Sequence, residues 1–173
     1  MTRLPSAFLT RPIAHRGYHN TVDGLIENSP SAFAAAISAG YGIELDLQLS
    51  QDAVAMVFHD DTLDRLTGET GPVRSRDAAD LQTIPLRGGS DTIPTLALVL
   101  AQVGGAVPLL IELKDQHGAM GDTDGRLERA AIDALTGYEG PVALMSFNPH
   151  MVAKIADLAP GLPRGLISSA WRK

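Results

Sequence analysis

Short apolar segments alternate with helical patterns along almost the whole chain. In the clearest segment, GIELDLQLS at residues 42–50, every second position is apolar. This period of two predicts a strand with one apolar face on a core. Similar apolar segments predict six strands in all, at residues 11–17, 42–50, 54–60, 107–115, 140–147 and 163–169.

Helical patterns lie between most of these strands. Residues 29–40 are rich in Ala, with a Ser-Pro start and a Gly at the end, and residues 148–160 have a Pro just inside their start. Two more helices are predicted at residues 95–104 and 124–138, whereas residues 61–94, rich in Gly, Asp, Thr and Pro, are predicted to be irregular. Strands that alternate with helices predict an α/β fold with a parallel sheet.

Charged and ionisable residues gather near the C-terminal ends of the predicted strands. They are His15 and Arg16, His59 and Asp60, Glu112 and Lys114, with Glu44 and Asp46 inside a fourth strand. Functional sites lie at this end of the strands both in a (β/α) barrel and in an open doubly wound sheet. The pattern therefore predicts where a polar site lies and leaves both architectures open.

Composition narrows the functional classes. The chain has 173 residues, of which 45% are hydrophobic, enough for one domain with a core, and it contains no cysteine for disulfides or thiolate metal sites. Its formal charge of -6 and the lack of a basic stripe argue against nucleic-acid binding. It has no signal-peptide pattern and no run of 18 apolar residues, so we expect a cytoplasmic protein without stable membrane insertion.

Three carboxylates stand on polar faces of otherwise apolar strands. Glu44 and Asp46 are two residues apart, so they share one face of their strand, and Glu112 belongs to another strand. An oxygen-only set of this kind suits one hard divalent cation, Mg²⁺ or Ca²⁺. The alternative is that each acid is paired separately with Arg or Lys, but the E-x-D pair together with a third acid favours the metal.

Two histidines end predicted strands beside these carboxylates. His15 and His59 can supply a general base and a general acid near neutral pH, although a lone histidine at a strand end is more often structural. Arg16 is able to hold a phosphate through two hydrogen bonds. Lys114 follows Glu112 on the same face, where it can neutralise carboxylates or bind an anion.

The predicted helix at residues 124–138 carries charges on one side. This pattern predicts a face in contact with solvent and no functional role. The residues of that face are Glu128, Arg129 and Asp133.

Short motifs follow one another along nearly the whole chain: AHRG (14–17), ENSPSAF (27–33), AGYGIELDL (39–47), VFHDDTLDRLTG (57–68), IPTL (93–96), IELK (111–114) and SFNP (146–149). Each motif alone is weak. Together, in this order and spacing, they resemble the glycerophosphodiester phosphodiesterase family.

The resemblance implies a TIM-type (β/α) barrel that hydrolyses glycerophosphodiesters to sn-glycerol 3-phosphate and an alcohol with one divalent cation. The family's acid–base pair falls on His15 and His59, and its phosphate contacts on Arg16 and Lys114. Its metal ligands fall on Glu44, Asp46 and Glu112, with Glu27 beside the metal. One histidine would deprotonate the substrate's own 2-hydroxyl and the other would protonate the leaving alcohol, without the sequence deciding which begins.

The length does not match a whole barrel, which runs to roughly 250 residues. The sequence ends at Trp171, Arg172 and Lys173, after the sixth predicted strand. We therefore expect a single domain over residues 1–173, truncated at its C-terminus, with about six of eight βα units and unpaired sheet edges that favour a homo-oligomer. A catalytically impaired fragment, a binding module of the same fold and a related phospholipase D-like lyase remain the alternatives.

Overall fold

The computed structural model describes residues 3–168 and forms one mostly parallel sheet with helices between the strands. The strands are β1 (Ile13–Ala14), β2 (Gly42–Leu49), β3 (Ala55–Val57), β4 (Leu109–Leu113), β5 (Val142–Ser146) and β6 (Arg164–Leu166). The helices are α1 (Ala7–Thr10), α2 (Pro30–Ala39), α3 (Ala78–Leu81), α4 (Leu96–Val103), α5 (Arg126–Ala134) and α6 (Pro149–Leu158). Short 3₁₀ turns lie at Thr21–Asp23 and Val73–Ser75.

The sheet has the strand order β1-β2-β4-β5-β6, and all of these neighbours are parallel. The predicted parallel sheet with alternating helices is confirmed, as are six strands. β3 departs from the pattern because it pairs antiparallel with the end of β2, after a turn at Ser50–Ala53. This return brings the chain that follows β3 back over the C-terminal end of the sheet.

β1 is much shorter than the strand predicted at residues 11–17. The extended chain ends after Ala14 because Arg16 and Gly17 adopt the left-handed conformation, with φ of 58° and 80°. His15 and Arg16 therefore lie in a turn beyond the end of β1. The end of the predicted strand is therefore a loop that belongs to the site.

β2 lies at the centre of the molecule. All eight of its residues are buried, so the expectation of a strand with one apolar face on a core describes only half of its environment. Its leucines and Ile43 pack in the main core with helices, whereas Glu44, Asp46 and Gln48 occupy the opposite face, which is also closed to solvent. Burial of acids on that face calls for compensating charges.

α2 and α4 begin and end within one residue of their predicted bounds, 29–40 and 95–104, whereas α1 and α3 were not predicted. Ser29 caps α2 by accepting a hydrogen bond from the Ala32 amide at 3.2 Å, Pro30 occupies the first turn, and Gly40 ends the helix with φ of 70°. α4 has the corresponding Thr95 cap and ends at Gly104.

Residues 61–94 contain little regular structure, as predicted, but they have their own core. Apolar side chains of this segment pack around Met56, in β3, and Phe58, directly after β3. The buried members from the segment are Leu63, Val73, Ala78, Leu81, Ile84, Leu86 and Ile93. The segment that follows His59 is thereby packed around a core of its own.

α5 differs from its prediction at one position. Glu128 is completely buried, whereas the charge pattern predicted that it faces solvent. It stands in the first turn of α5, three residues before the buried Ala131, and this face packs against β2 and β3. Arg129 and Asp133 are exposed, as predicted.

Within residues 3–168 the sheet is open, with β1 and β6 at its two edges. The three residues of β6 are exposed. The last residue of the strand predicted at 163–169, together with Trp171, Arg172 and Lys173, lies outside the described residues. No helix in the described part of the chain is both long and apolar enough to cross a membrane.

Candidate active site

Glu44, Asp46 and Glu112 meet at the C-terminal end of the sheet. Period-two geometry puts the first two on one face of β2, and the parallel register places Glu112 of β4 directly beside Asp46. One carboxylate oxygen of each residue lies within 4.8 Å of the others, and all three side chains are buried. Three carboxylates at this separation repel one another strongly unless positive charge lies among them.

Lys114 supplies part of that charge. Its ammonium lies 2.8 Å from Oδ1 of Asp46 and 2.7 Å from Oε1 of Glu112. Burial lowers the pKa of Lys114, but its hydrogen bonds to the two carboxylates outweigh burial, and the net shift is upward. Lys114 is therefore a fixed positive charge on one side of the cluster.

Among the described residues, no lysine or arginine side chain forms an ion pair with Glu44. Burial and then the Asp46 charge raise the pKa of Glu44 to about 7, against a hydrogen bond of 2.9 Å from the Arg16 backbone amide to Oε2. An all-oxygen, buried set with an uncompensated carboxylate fits a hard divalent cation, which would relieve the repulsion around Glu44. The cluster is able to hold such an ion.

Asn28 is a member of the site that the sequence reasoning missed. It is buried, has φ of 57°, and its side-chain amide donates to Oδ2 of Asp46 at 2.8 Å, while its Oδ1 accepts from the Asp46 amide at 3.3 Å. These two bonds fix the orientation of the Asp46 carboxylate. The only available signal was its place in the ENSPSAF motif.

Arg16 links the carboxylate cluster to Glu27. Its Nη1 donates to Oε1 of Glu27 at 2.8 Å, and its Nε lies 3.4 Å from Oδ2 of Asp46. That Nε is buried and has no hydrogen-bond partner among the described residues. Glu27 contacts Arg16 and Arg65 and is not one of the three clustered carboxylates, and its predicted place beside a metal stays a prediction.

The two predicted histidines lie at the same end of the sheet. The His15 side chain is 69% exposed, and its Nε2 lies 3.9 Å from Oε2 of Glu44. Its pKa is lowered by burial first and then by the Arg16 charge, against the Asp46 charge, which raises it. His59 follows β3, and its Nδ1 lies 2.7 Å from Oδ1 of Asp60. Asp60 is ionised because hydrogen bonding to Arg65 lowers its pKa to about 2, so Nδ1 of His59 carries the proton of that bond.

Arg65 is the second residue that sequence reasoning missed. Its guanidinium hydrogen-bonds two carboxylates at once: Nε and Nη2 donate to Asp60 at 2.6 and 2.8 Å, and Nη1 and Nη2 donate to Glu27 at 3.0 and 2.7 Å. Its segment, VFHDDTLDRLTG, had been recognised, but without a role for this arginine.

A cavity of about 460 Å³ adjoins the site. Gln48, two residues beyond Asp46 on the same face of β2, forms part of its wall and is itself buried. The Gln48 amide donates to the His59 carbonyl at 3.1 Å and to Oδ1 of Asp61 at 3.0 Å, and its Oε1 accepts from Gln116 at 2.9 Å. Gln48 thus connects the wall of the cavity to the His59 backbone through a hydrogen bond.

Comparison with known proteins identifies the family. The model of the "Glycerophosphoryl diester phosphodiesterase family" matches residues 15–173. The chain is 31% identical to a glycerophosphodiester phosphodiesterase of Caldanaerobacter subterraneus subsp. tengcongensis, over 91% of this chain and 66% of that protein. It is 29% identical to a glycerophosphodiester phosphodiesterase of Bacillus subtilis, over 92% of this chain and 59% of that protein. The chain thus spans about two thirds or less of the length of these relatives.

Solved structures give the same result. A phosphodiesterase of Oleispira antarctica, in complex with its product sn-glycerol-3-phosphate, superimposes with a TM-score of 0.80 at 27% identity, covering 95% of this chain and 71% of that one. A glycerophosphodiester phosphodiesterase of Agrobacterium tumefaciens gives 0.73 at 30% identity, covering 90% and 65%. The predicted TIM-type fold is confirmed, with the barrel open over the described residues. The chain belongs to the glycerophosphoryl diester phosphodiesterase family.

Proposed function

We propose that this chain carries the active site of a phosphodiesterase that hydrolyses glycerophosphodiesters to sn-glycerol 3-phosphate and an alcohol. Family membership and the relatives' names support the reaction, and the product bound to the Oleispira antarctica phosphodiesterase supports a small-molecule substrate. The observation that carries the proposal is the convergence of carboxylates, cationic side chains and two imidazoles at one end of the sheet. They come from four separate segments of the chain, around β1, β2, β3 and β4.

Glu44, Asp46 and Glu112 would hold one divalent cation, Mg²⁺ or Ca²⁺. When bound there, such an ion supplies positive charge that screens the phosphate and stabilises charge developing on phosphorus. Lys114 already lies against two of the three carboxylates, and its ammonium adds to the positive potential that attracts a phosphodiester. Arg16, held by Glu27, presents a second cationic group beside Asp46.

His15 and His59 are the proposed acid–base pair. One imidazole takes the proton of the substrate's glycerol 2-hydroxyl, whose oxygen attacks phosphorus, and the other gives a proton to the departing alcohol oxygen. Water then opens the cyclic phosphate with the two roles reversed, so each residue ends in its starting state. Asp60 holds Nδ1 of His59, which leaves Nε2 as the nitrogen that exchanges protons.

Release of glycerol 3-phosphate from glycerophosphocholine tests this function. We expect release by the wild-type protein, loss of release in EDTA, and recovery with added Mg²⁺ or Ca²⁺. Phosphorus NMR of the same reaction separates the alternatives: a cyclic phosphate as the final product would identify a lyase, and binding without turnover would identify a binding module. Either of those results would contradict the hydrolase.

Three further expectations from the sequence stay predictions. They are a single domain over residues 1–173, a cytoplasmic location, and self-association through sheet edges that are open in residues 3–168. Light scattering over a range of protein concentrations tests the last of these, because association raises the apparent mass with concentration.

A further inference from the structure

Arg65 occupies a turn that is anchored on both sides. Leu63 and Thr67 are completely buried, and the Thr67 hydroxyl donates to the Leu63 carbonyl at 2.8 Å. The Leu66 carbonyl accepts a hydrogen bond from the Arg87 amide at 2.7 Å. Arg65 therefore projects from a short segment whose backbone is fixed by its neighbours, although its own side chain is 47% exposed.

The Arg65 guanidinium joins two carboxylates that serve different residues of the site. Asp60 receives Nε and Nη2 and in turn holds Nδ1 of His59. Glu27 receives Nη1 and Nη2 and in turn holds Nη1 of Arg16. One planar group with a fixed set of donors thus sets the distance between both carboxylates.

The positive charge of Arg65 favours the ionised forms of Asp60 and Glu27. The hydrogen bonds from Arg65 lower the pKa of Asp60 to about 2. Burial raises the pKa of Glu27, but hydrogen bonds from Arg65 and Arg16 outweigh it and the net shift is downward. Both carboxylates are therefore ionised at neutral pH. Asp60 contacts Arg65 and His59, and Glu27 contacts Arg65 and Arg16.

We propose that Arg65 is a positioning residue that fixes the His59 imidazole and the Arg16 guanidinium relative to each other as one unit. Arg65 acts through Asp60 on the orientation of His59, and through Glu27 on the placement of Arg16. Because both end points are residues of the proposed active site, this role rests on the proposed function.

Steady-state kinetics on glycerophosphocholine test the role. In Arg65→Met we expect kcat to fall about 10–100-fold, as for other outer partners of catalytic groups, and KM to rise as well. Asp60→Asn breaks only the connection from Arg65 to His59, so it should reproduce mainly the loss in kcat. Glu27→Gln breaks only the connection from Arg65 to Arg16, so it should reproduce mainly the rise in KM. Arg65→Lys keeps the charge but not the fork of donors, so it should recover only part of the loss.

The matched control is Arg76→Met. Arg76 also pairs with a carboxylate of the same segment, Nη2 to Oε2 of Glu69 at 2.9 Å, and neither residue is a member of the proposed site. Its kcat and KM should equal those of the wild type. Unchanged kinetics in Arg65→Met, or additive effects of Arg65→Met with Asp60→Asn and with Glu27→Gln, would overturn the positioning role.

A second readout does not need turnover. Nitrogen-15 NMR of the imidazoles, with the His59 signals assigned from a His59→Gln protein, should show the Nδ1–H tautomer in the wild type. Arg65→Met should give a mixture of tautomers, whereas Arg76→Met should not. An unchanged His59 spectrum in Arg65→Met overturns the proposal. An inactive wild type with the expected spectral change contradicts the proposed function and leaves the positioning role supported.

Discussion

The ammonium of Lys114 lies 2.8 Å from Oδ1 of Asp46, whose side chain is only 1% exposed. The same ammonium also contacts Glu112, so Lys114 pairs with two of the three clustered carboxylates. Removing one partner of a buried pair is costly because the other charge is left without compensation. Replacing Lys114 is therefore a direct way to measure how much positive charge stabilises the carboxylate cluster.

Lys114→Met should destabilise the metal-free protein by about 3 kcal/mol, since two buried carboxylates lose their counter-charge. Urea unfolding in EDTA measures the loss. Excess Mg²⁺ or Ca²⁺ should recover much of it, because a bound dication replaces the missing charge. Lys154→Met, on α6 away from the cluster, should show neither effect. An equal loss with EDTA and with metal would contradict a cation site here.

Glu44→Gln should weaken divalent-metal binding and remove most of the activity. In EDTA the variant should also unfold at a higher urea concentration than the wild type, because one of three mutually repelling carboxylates is gone. Calorimetric titration with Mg²⁺ and with Ca²⁺ measures the affinity. Glu139→Gln, an exposed position, is the control and should bind metal like the wild type. Unchanged affinity in Glu44→Gln would show that the ion does not bind at this carboxylate.

His15→Ala and His59→Ala should each lower kcat by roughly 10²–10⁴-fold, as expected for the loss of a positioned proton-transfer group. Metal affinity should change little, since neither imidazole belongs to the carboxylate cluster. His150→Ala is the control, because that histidine pairs with Asp122 instead. A bell-shaped pH–rate profile that persists in either variant would exclude the two imidazoles as the titrating pair.

The sequence predicts the carboxylate cluster of this site better than the residues that surround the cluster. Glu44 and Asp46 are readable because a strand period of two fixes their relative direction, and a parallel strand brings Glu112 beside them. The structure places the residues predicted for the site at one end of the sheet, with Glu27 paired to Arg16 and Arg65 rather than in the carboxylate cluster. Their chemical roles stay predictions.

The positions of Arg65 and Asn28 in the site depend on contacts that no local sequence pattern encodes. Arg65 meets Glu27 across 38 positions of sequence, and Asn28 meets Asp46 across 18. Both contacts follow from the way the irregular segment and the β1–α2 loop fold back over the sheet. The antiparallel return of β3 was equally hidden, because an apolar segment does not show the direction in which it pairs.

The acid stability of the protein should depend on Asp60. Hydrogen bonding to Arg65 lowers its folded pKa to about 2, below its ordinary value of 3.8. A lowered pKa means that its contribution to stability is complete above pH 4 and is lost as the pH falls toward 2. The difference in urea midpoint between the wild type and Asp60→Asn should therefore be large at pH 6 and should shrink below pH 4.

The experiment is best done in a His59→Gln background, which removes the titration of the neighbouring imidazole. Asp61→Asn serves as the comparison at the next position. A difference between Asp60→Asn and its parent that stays constant from pH 6 to pH 2.5 would show that the Asp60 carboxylate does not keep this interaction in solution.

Glu128 is the buried acid that the proposed mechanism does not use. Its side chain is completely buried in the first turn of α5, and both carboxylate oxygens lack a hydrogen-bond partner among the described residues. Burying a polar group without a hydrogen bond costs about 1–3 kcal/mol in proteins. The face that it occupies also carries Leu127 and Ala131 of the main core.

Glu128→Met should therefore raise the free energy of unfolding by about 1–3 kcal/mol, because a side chain of similar size replaces an unpaired carboxylate with apolar atoms. Glu128→Gln keeps an unpaired polar group and should gain less. Glu139→Met, at an exposed position, controls for the change in net charge and should be close to neutral. Urea unfolding at pH 7 ranks the three variants. A Glu128→Met protein less stable than the wild type would mean that the carboxylate makes a favourable interaction in solution, and that α5 packs against the sheet with its first turn shifted toward a donor.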